Sequence, residues 1–403
     1  MKKTLVALAV TAFATSASAL TIYEADGSKV VFDGSIRMRL DNEKSVEKRN
    51  GVKKVTQKAH TNLHNDGTRF NIAMSHQLGE DLYSFGRLEF RFNGDSKGTD
   101  KFGDLFTNKA YVGIGSHKFG EVAFGRQATI GDEIYQADFE YAYGVFDTTL
   151  STSGRSVIRY DYKGIEGLHI GLDYRFAEHR DNKGEVIKPN LFAGSDDYSS
   201  LYPLKSGYGV GALYEFPKFG NQTVRVGAGY TRDNFESSPD HQFASHHRDA
   251  WGATAKYAID DLEVAIDYSG QFLKEGSKKD KINGFRVGAL YNVTDKIALY
   301  GSYGYLKNNV DNMFGDVVKN VWSFNEQGKA QNDPKHTNED NYTTERTERH
   351  KFMLGTSYRV HKNVVTYLEG SIENSKETYS SDTKRLVKKI RNTNVGVGLR
   401  VFW

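Results

Sequence analysis

The sequence predicts an all-β fold: a transmembrane, antiparallel, up-and-down β-barrel of about sixteen strands. Three observations predict it. Apolar and polar residues alternate with period two in segment after segment. Short and long polar connections alternate between those segments. The chain ends inside one more alternating segment, on an aromatic residue, Trp403.

The chain opens on an address. Lys2 and Lys3 precede an apolar stretch from Leu5 to Ala14, and Ala17-Ser18-Ala19 supplies the small residues of a cleavage site. Residues 1–19 are therefore expected to be a secretory signal peptide, cut after Ala19, leaving 20–403 as one barrel domain. The apolar run is too short to serve as a membrane anchor.

Past that leader no run of about 20 apolar residues occurs, which excludes a bundle of membrane helices. A period-two pattern takes its place. Leu168, Ile170, Leu172, Tyr174 and Phe176 lie on one face, and His169, Gly171, Asp173 and Arg175 on the other. The pattern returns from Val30 to Leu40, Leu82 to Phe92, Leu262 to Tyr268 and Phe285 to Tyr291. Segments of roughly ten residues suit tilted strands crossing a bilayer. Short links fall near 79–81, 116–120, 163–166, 217–221, 259–261, 292–295 and 361–362. Long polar links fall between them, near 42–66, 94–104, 127–154, 177–206, 233–248, 271–282, 306–348 and 373–388. A meander with two unlike rims has this layout. All five prolines lie in connections, where no ladder hydrogen bond is lost. In the last segment Val395, Val397, Leu399, Val401 and Trp403 share one face, and closure requires this strand to pair with the first.

A soluble β-sandwich also alternates, but its faces do not end repeatedly in aromatics such as Tyr160, Tyr174, Phe176, Tyr214, Tyr257 and Tyr291. With no cysteine there is no disulfide framework, and a net charge of +3 gives no reason to expect nucleic acid. Gly207, Gly209 and Gly211 mimic part of a dinucleotide fingerprint, but they sit inside a strand; room on the lumen face is their better use. His241, His246 and His247 read as a surface loop rather than a metal site.

Thr21–Gly27 (TIYEADG) leading into a strand, Gly120–Arg126 (GEVAFGR) and Val397–Trp403 (VGLRVFW) together resemble a Gram-negative general porin of the trimeric, sixteen-stranded type, over nearly the whole mature chain. The C-terminal motif of that family usually ends in Phe, so Trp403 keeps the assembly aromatic in another form. The resemblance implies an outer-membrane homotrimer, in contact with the bilayer, lipopolysaccharide and the outer-membrane assembly machinery. It implies a water-filled channel for ions and small hydrophilic solutes, without catalytic residues, metal or cofactor.

It further implies that the third loop, 127–154, folds inward and narrows the channel. Its acids Asp132, Glu133, Asp138 and Glu140, with Asp147, would then face wall arginines across the constriction. The family's Pro-Glu-Phe-Gly-Gly-Asp motif is absent; Asp138–Tyr141 (DFEY) stands in its place. By parity the lumen face carries Arg37, Arg39, Arg69, Arg87, Arg155 and Arg159, with Arg91, Arg175, Arg225, Lys256 and Arg286. Acids on that face are Asp33, Glu89, Asp161, Asp173, Glu263 and Asp267. Arg69 and Arg155 match wall arginines of the family, whereas Asn108 occupies a position that is commonly Arg. The loop at 94–104 matches the segment that latches onto a neighbouring subunit. Basic wall and acidic loop nearly offset, leaving anion or cation preference open. The rival readings are an outer-membrane barrel enzyme and an adhesin acting through its loops.

Overall fold

The computed structural model describes residues 19–49, 52–92, 103–146, 149–178, 203–236, 245–309, 317–318, 323–324, 330–331, 342–380 and 385–403. Residues 1–18 of the signal peptide, 94–102 of the latch, Asp147, His241 and most of the loops at 177–206 and 306–348 fall outside them.

Sixteen staves make the wall. They are β1 (Ser28–Arg49), β2 (Val52–Asn65 continued by Arg69–Gln77), β3 (Leu82–Phe92), β4 (Leu105–Ser116), β5 (Gly120–Ala128), β6 (Ser153–Tyr162), β7 (Leu168–Arg175) and β8 (Leu204–Glu215). The second half comprises β9 (Gln222–Phe235), β10 (His246–Ile259), β11 (Leu262–Glu275), β12 (Lys278–Asn292), β13 (Ile297–Asn309), β14 (Tyr342–His361), β15 (Val364–Ser380) and β16 (Arg385–Phe402). Each pairs antiparallel with its neighbours, and β16 closes on β1 from Ser35↔Phe402 to Arg49↔Lys388. Closure satisfies every edge, the condition for a sheet in hydrocarbon.

Polarity is inverted relative to a soluble protein. On β16, Val397 and Leu399 are 48% and 46% exposed, while Asp267 and Glu369 on the inner face of β11 and β15 are 1% and 0% exposed. The period-two pattern thus puts oil-loving side chains outside and charge inside.

The strand Leu20–Ala25 pairs with the start of β1 through a two-residue turn, Asp26-Gly27, both with positive φ (49° and 72°). Paired positive φ values suit the twist of a hairpin. It lies on the same edge of β1 as β16 and extends that stave. Trp403 exchanges backbone hydrogen bonds with Gly34 (3.1 and 3.2 Å), and its ring lies 6.0 Å from Phe32.

Three expected outer loops are instead strand. Pairing runs out to Arg49↔Val52, Glu275↔Lys278 and Ser380↔Arg385, so 42–66, 271–282 and 373–388 are projecting hairpins. Both of their faces are polar, so no hydrophobic alternation marks them, yet the backbone goes on pairing. His246 and His247 likewise open β10 rather than lie in a loop; His246 is buried and stacked on Phe235.

Candidate functional site

Between β5 and β6 the chain turns into the lumen. Gln127↔Gly154 and Ala128↔Ser153 form a neck, which Thr129 N extends by donating to Thr152 O at 2.9 Å. A single-turn helix, α1 (Gly131–Ile134), follows.

What receives it is a row of glycines. Gly171, Gly211, Gly229 and Gly252 are direct cross-strand partners on β7 to β10. Without side chains they leave a trough. A Cβ at Gly171 would come within 2.5 Å of Ile130, one at Gly229 within 2.9 Å of Ile134, and one at Gly252 within 2.5 Å of Tyr135. Ile130 and Ile134 are completely buried there. Farther round, Phe139 lies over Gly288, Phe146 over Gly304 and Tyr143 over Gly396.

Two wall carboxylates hold the loop backbone. Asp267 accepts from Gln136 N and Ala137 N, both at 3.0 Å, and from Thr254 and Arg286. Glu369 accepts from the amides of Tyr141 (2.5 Å), Ala142 (2.8 Å) and Tyr143 (2.9 Å), and from the Tyr300 hydroxyl at 3.0 Å. Donors converging on a buried carboxylate satisfy a charge that would otherwise be costly inside the protein. The segment therefore follows the inner wall from β6 round to β16, ending with the Arg39 guanidinium 5.1 Å from the Tyr143 ring centre.

The four loop acids have different surroundings. Glu133 accepts from Nη2 of Arg159 on β6 and stands 3.2 Å from His169 Nδ1; Asp161 accepts from the same Arg159 Nη2 (2.7 Å) and from its Nε (2.7 Å), and lies 2.6 Å from His169 Nε2. Although burial pushes the Glu133 carboxyl up, His169 and Arg159 hold it well below the usual carboxylate range. Asp132 faces lumen water, yet crowding by the wall raises it, against the opposing pull of Lys109. Asp138 is exposed in a cavity of about 600 Å³ that it shares with Arg286, Arg349 and Lys351. Glu140 is not brought to a wall arginine. It turns back to accept from Phe139 N (3.0 Å), Val145 N (3.1 Å) and Ser302 Oγ (3.3 Å). Burial first, then the charge of Asp138, push it up to about 7.

The opposite wall carries arginines. Arg37 faces Arg400 across β1 and β16, and Arg69 faces Arg91 across β2 and β3. Arg37 donates to Ser35 Oγ (2.7 Å) and Arg69 to Gly67 O (3.2 Å), uncharged acceptors that leave both cations unneutralised by direct contact. Arg39 pairs with Asp41 (2.9 Å) and Asp66 (2.7 Å), and Arg87 stands 3.9 Å from Glu89. Arg155 is half-exposed, 4.0 Å from Glu178, beside a cavity of about 510 Å³ that also holds Asp132 and Arg91.

Parity reasoning missed Lys109, Arg400 and Glu369. The first was hidden by a bulge: the β3–β4 register slips between Glu89 and Phe90, so Asn108 has no partner and Lys109 lies opposite Glu89. Asn108 donates to Glu89 at 2.7 Å, and Lys109 provides the cation that Asn108 lacks. Arg400 and Glu369 have lumen parity and were open to the same count that found Arg37. Glu133, Asp161 and His169 are the one group among the described residues whose donor atoms (all within 4.8 Å) have a metal-like composition. The Arg159 guanidinium already bonds both carboxylates.

The family model for Gram-negative porins matches residues 4–378. The major outer membrane protein of Pasteurella multocida strain Pm70 is 28% identical over 423 residues, covering 100% of both chains. Among solved structures, the anion-selective porin from Comamonas acidovorans aligns with a TM-score of 0.60 at 14% identity, over 93% of this chain and 100% of that one. Salmonella typhi OmpF, solved with daunomycin, gives 0.58 at 14% identity over 95% and 100%. The trimer form of Vibrio cholerae OmpT gives 0.57 at 18% over 94% and 100%. At these identities the structures share the fold. Matched along most of its length, this chain belongs to the Gram-negative porin family, and it is a passive diffusion channel of the outer membrane.

Proposed function

We propose that the gap between the lumen loop and the arginine arc of β1, β2 and β3 is the constriction of this channel. Asp132 and Asp138 on one side and Arg37 and Arg69 on the other set up a field across the path; Arg91 and Arg400 flank that pair, each held by an acid, Glu89 at 2.6 Å and Asp66 at 3.0 Å. Arginine keeps its charge at every physiological pH. Ions and small hydrophilic solutes pass down their gradients, and dipolar solutes turn in the field as they cross. The observation that carries this reading is the seating of the loop: apolar side chains in the glycine row, and five backbone amides on Asp267 and Glu369.

No bond is made or broken in this reading. Both ring nitrogens of His169 face carboxylates, which leaves neither to activate a hydroxyl nucleophile. The functional unit is a homotrimer in contact with lipopolysaccharide, built by the outer-membrane assembly machinery after residues 1–19 are removed; the trimer form of the Vibrio cholerae relative supports that state.

Planar-bilayer recording tests the reading. Purified protein should give stepwise conductance, often in threes, and liposomes should swell in small sugars. The double variant Arg37→Gln/Arg69→Gln should keep its conductance and shift the reversal potential toward cations, by roughly a factor of two in permeability ratio per charge removed. A sealed barrel, or a selectivity indifferent to both arginines, would refute it.

A further inference from the structure

His169 belongs to an ion quartet with no assigned task. It projects from β7 between Asp161 of β6 and Glu133 of α1, with 2.6 Å from Nε2 to Asp161 and 3.2 Å from Nδ1 to Glu133. A neutral imidazole has one N–H and one bare lone pair, so it can donate to only one of these carboxylates. Imidazolium alone donates to both. Arg159 bonds the same two acids. The quartet is therefore neutral with His169 protonated and carries one net negative charge without it.

These groups line the path. Glu133 and His169 border a cavity of about 470 Å³ with Asp132, and Glu133, Arg159 and Asp161 border a second of about 200 Å³ below α1. The charged groups facing the ring are few: Arg159 and Asp161 from β6, Lys163 from the following turn, and Glu133 and Asp132 from α1. Across the larger cavity Glu215 of β8 and Arg225 of β9 pair with each other and cancel. Glu121 of β5, the cross-strand partner of Asp161, and Lys109 of β4 border the smaller cavity and offset each other in charge.

We infer that His169 is a selectivity-determining residue: its proton sets the net charge of the lumen quartet, so the channel's preference for cations over anions rises with pH. The inference rests on the channel reading above. An ordinary histidine titrates near pH 6.5, and two facing carboxylates favour the imidazolium, so the change lies on the alkaline side of that value. One unit charge a few ångströms from passing ions in salt water changes the cation-to-anion permeability ratio by about two- to fourfold.

Reversal potentials in a potassium chloride gradient, taken from pH 5 to 8.5, test it. The wild-type ratio should rise with pH. Apart from a small residual step from Glu140, His169→Gln should stay near the high-pH ratio throughout, and His169→Lys near the low-pH ratio. Glu140 also gains charge in this window, so Glu140→Gln is the control and should keep most of the step. Should His169→Gln fail to insert, a flat low ratio in His169→Lys still supports the inference. A step of wild-type size in either His169 variant, or one that vanishes in Glu140→Gln, overturns it. Conducting wild-type channels with a flat ratio overturn it and spare the channel reading; silent membranes overturn both.

Discussion

Two arcs of the inner wall share one parity and make opposite use of it. From β7 to β10 the lumen positions at mid-height are Gly171, Gly211, Gly229 and Gly252. From β16 to β3 they are Arg400, Arg37, Arg69 and Arg91. The difference shows what each arc meets. Glycine appears where a second layer of chain lies against the wall, since a Cβ there would collide with Ile130, Ile134 or Tyr135. Arginine appears on the other arc, where Arg400 and Arg91 are held by Asp66 (3.0 Å) and Glu89 (2.6 Å) while Arg37 and Arg69 have no carboxylate in contact, a charge that costs little in a solvated lumen. The loop lines the first arc along its length; on the second it reaches only the β16–β1 end, at Arg400 and Arg39, and leaves β2 and β3 bare.

The largest effect should come from filling the trough. In Gly229→Val the new Cβ would stand 2.9 Å from Ile134 and 3.3 Å from Leu150. Overpacking of this kind costs about 1–3 kcal/mol. The wall is fixed by hydrogen bonds on both sides of β9, so the loop is the part that yields. Single-channel conductance should increase and larger sugars should enter liposomes. Gly370→Val on β15, whose Cβ would meet nothing closer than 3.7 Å, should leave both unchanged. Equal conductance in the two variants would mean that the glycine row does not hold the loop.

A smaller effect should follow from Glu369→Gln. Three loop amides and the Tyr300 hydroxyl all donate to this carboxylate. A glutamine there turns an NH₂ group toward donors, and each buried donor left without an acceptor costs about 1–3 kcal/mol. The apolar contacts remain, so the loop should detach intermittently. Current traces should flicker, while Arg37→Gln on the arginine arc should shift selectivity without flicker. Quiet traces from Glu369→Gln would locate the anchor elsewhere.

How far the two arcs could be read in advance follows from the same contrast. The bilayer demands an apolar outer face, so the staves, their closure and the inner arginines Arg37, Arg39, Arg69 and Arg159 were legible as period-two alternation. Above the membrane both faces are wet, and the hairpin extensions at 42–66 and 373–388 lost that mark. The bulge at Asn108 reversed parity for Lys109, which alternation cannot anticipate. The loop anchors were invisible for another reason: Tyr141 and Glu369 are 228 residues apart, and nothing local in either says that they meet. Glu140 resembled a channel-facing acid by type, but the amides of Phe139 and Val145 within its own loop claimed it first.

Glu140 also supplies the mildest test of the covered arc, through pH. Its carboxyl is pushed up to about 7 from an ordinary value near 4.5, burial being the largest cause and Asp138 the next. Between those values the seated loop holds a proton that the released loop has lost. Stability falls with rising pH wherever the native state binds more protons, so seating should be tightest near pH 5 and weaken as pH climbs through 7. Hydrogen-exchange protection factors, which remove the intrinsic pH dependence of exchange, should fall several-fold for the Phe139 and Val145 amides over that range. Glu140→Gln has no proton to lose and should hold them level. Amides on the bare strands, β2 and β3, should be indifferent to both changes. Were those to respond as strongly as Phe139 and Val145, the pH effect would belong to the barrel as a whole, and the loop would not be an independently seated layer.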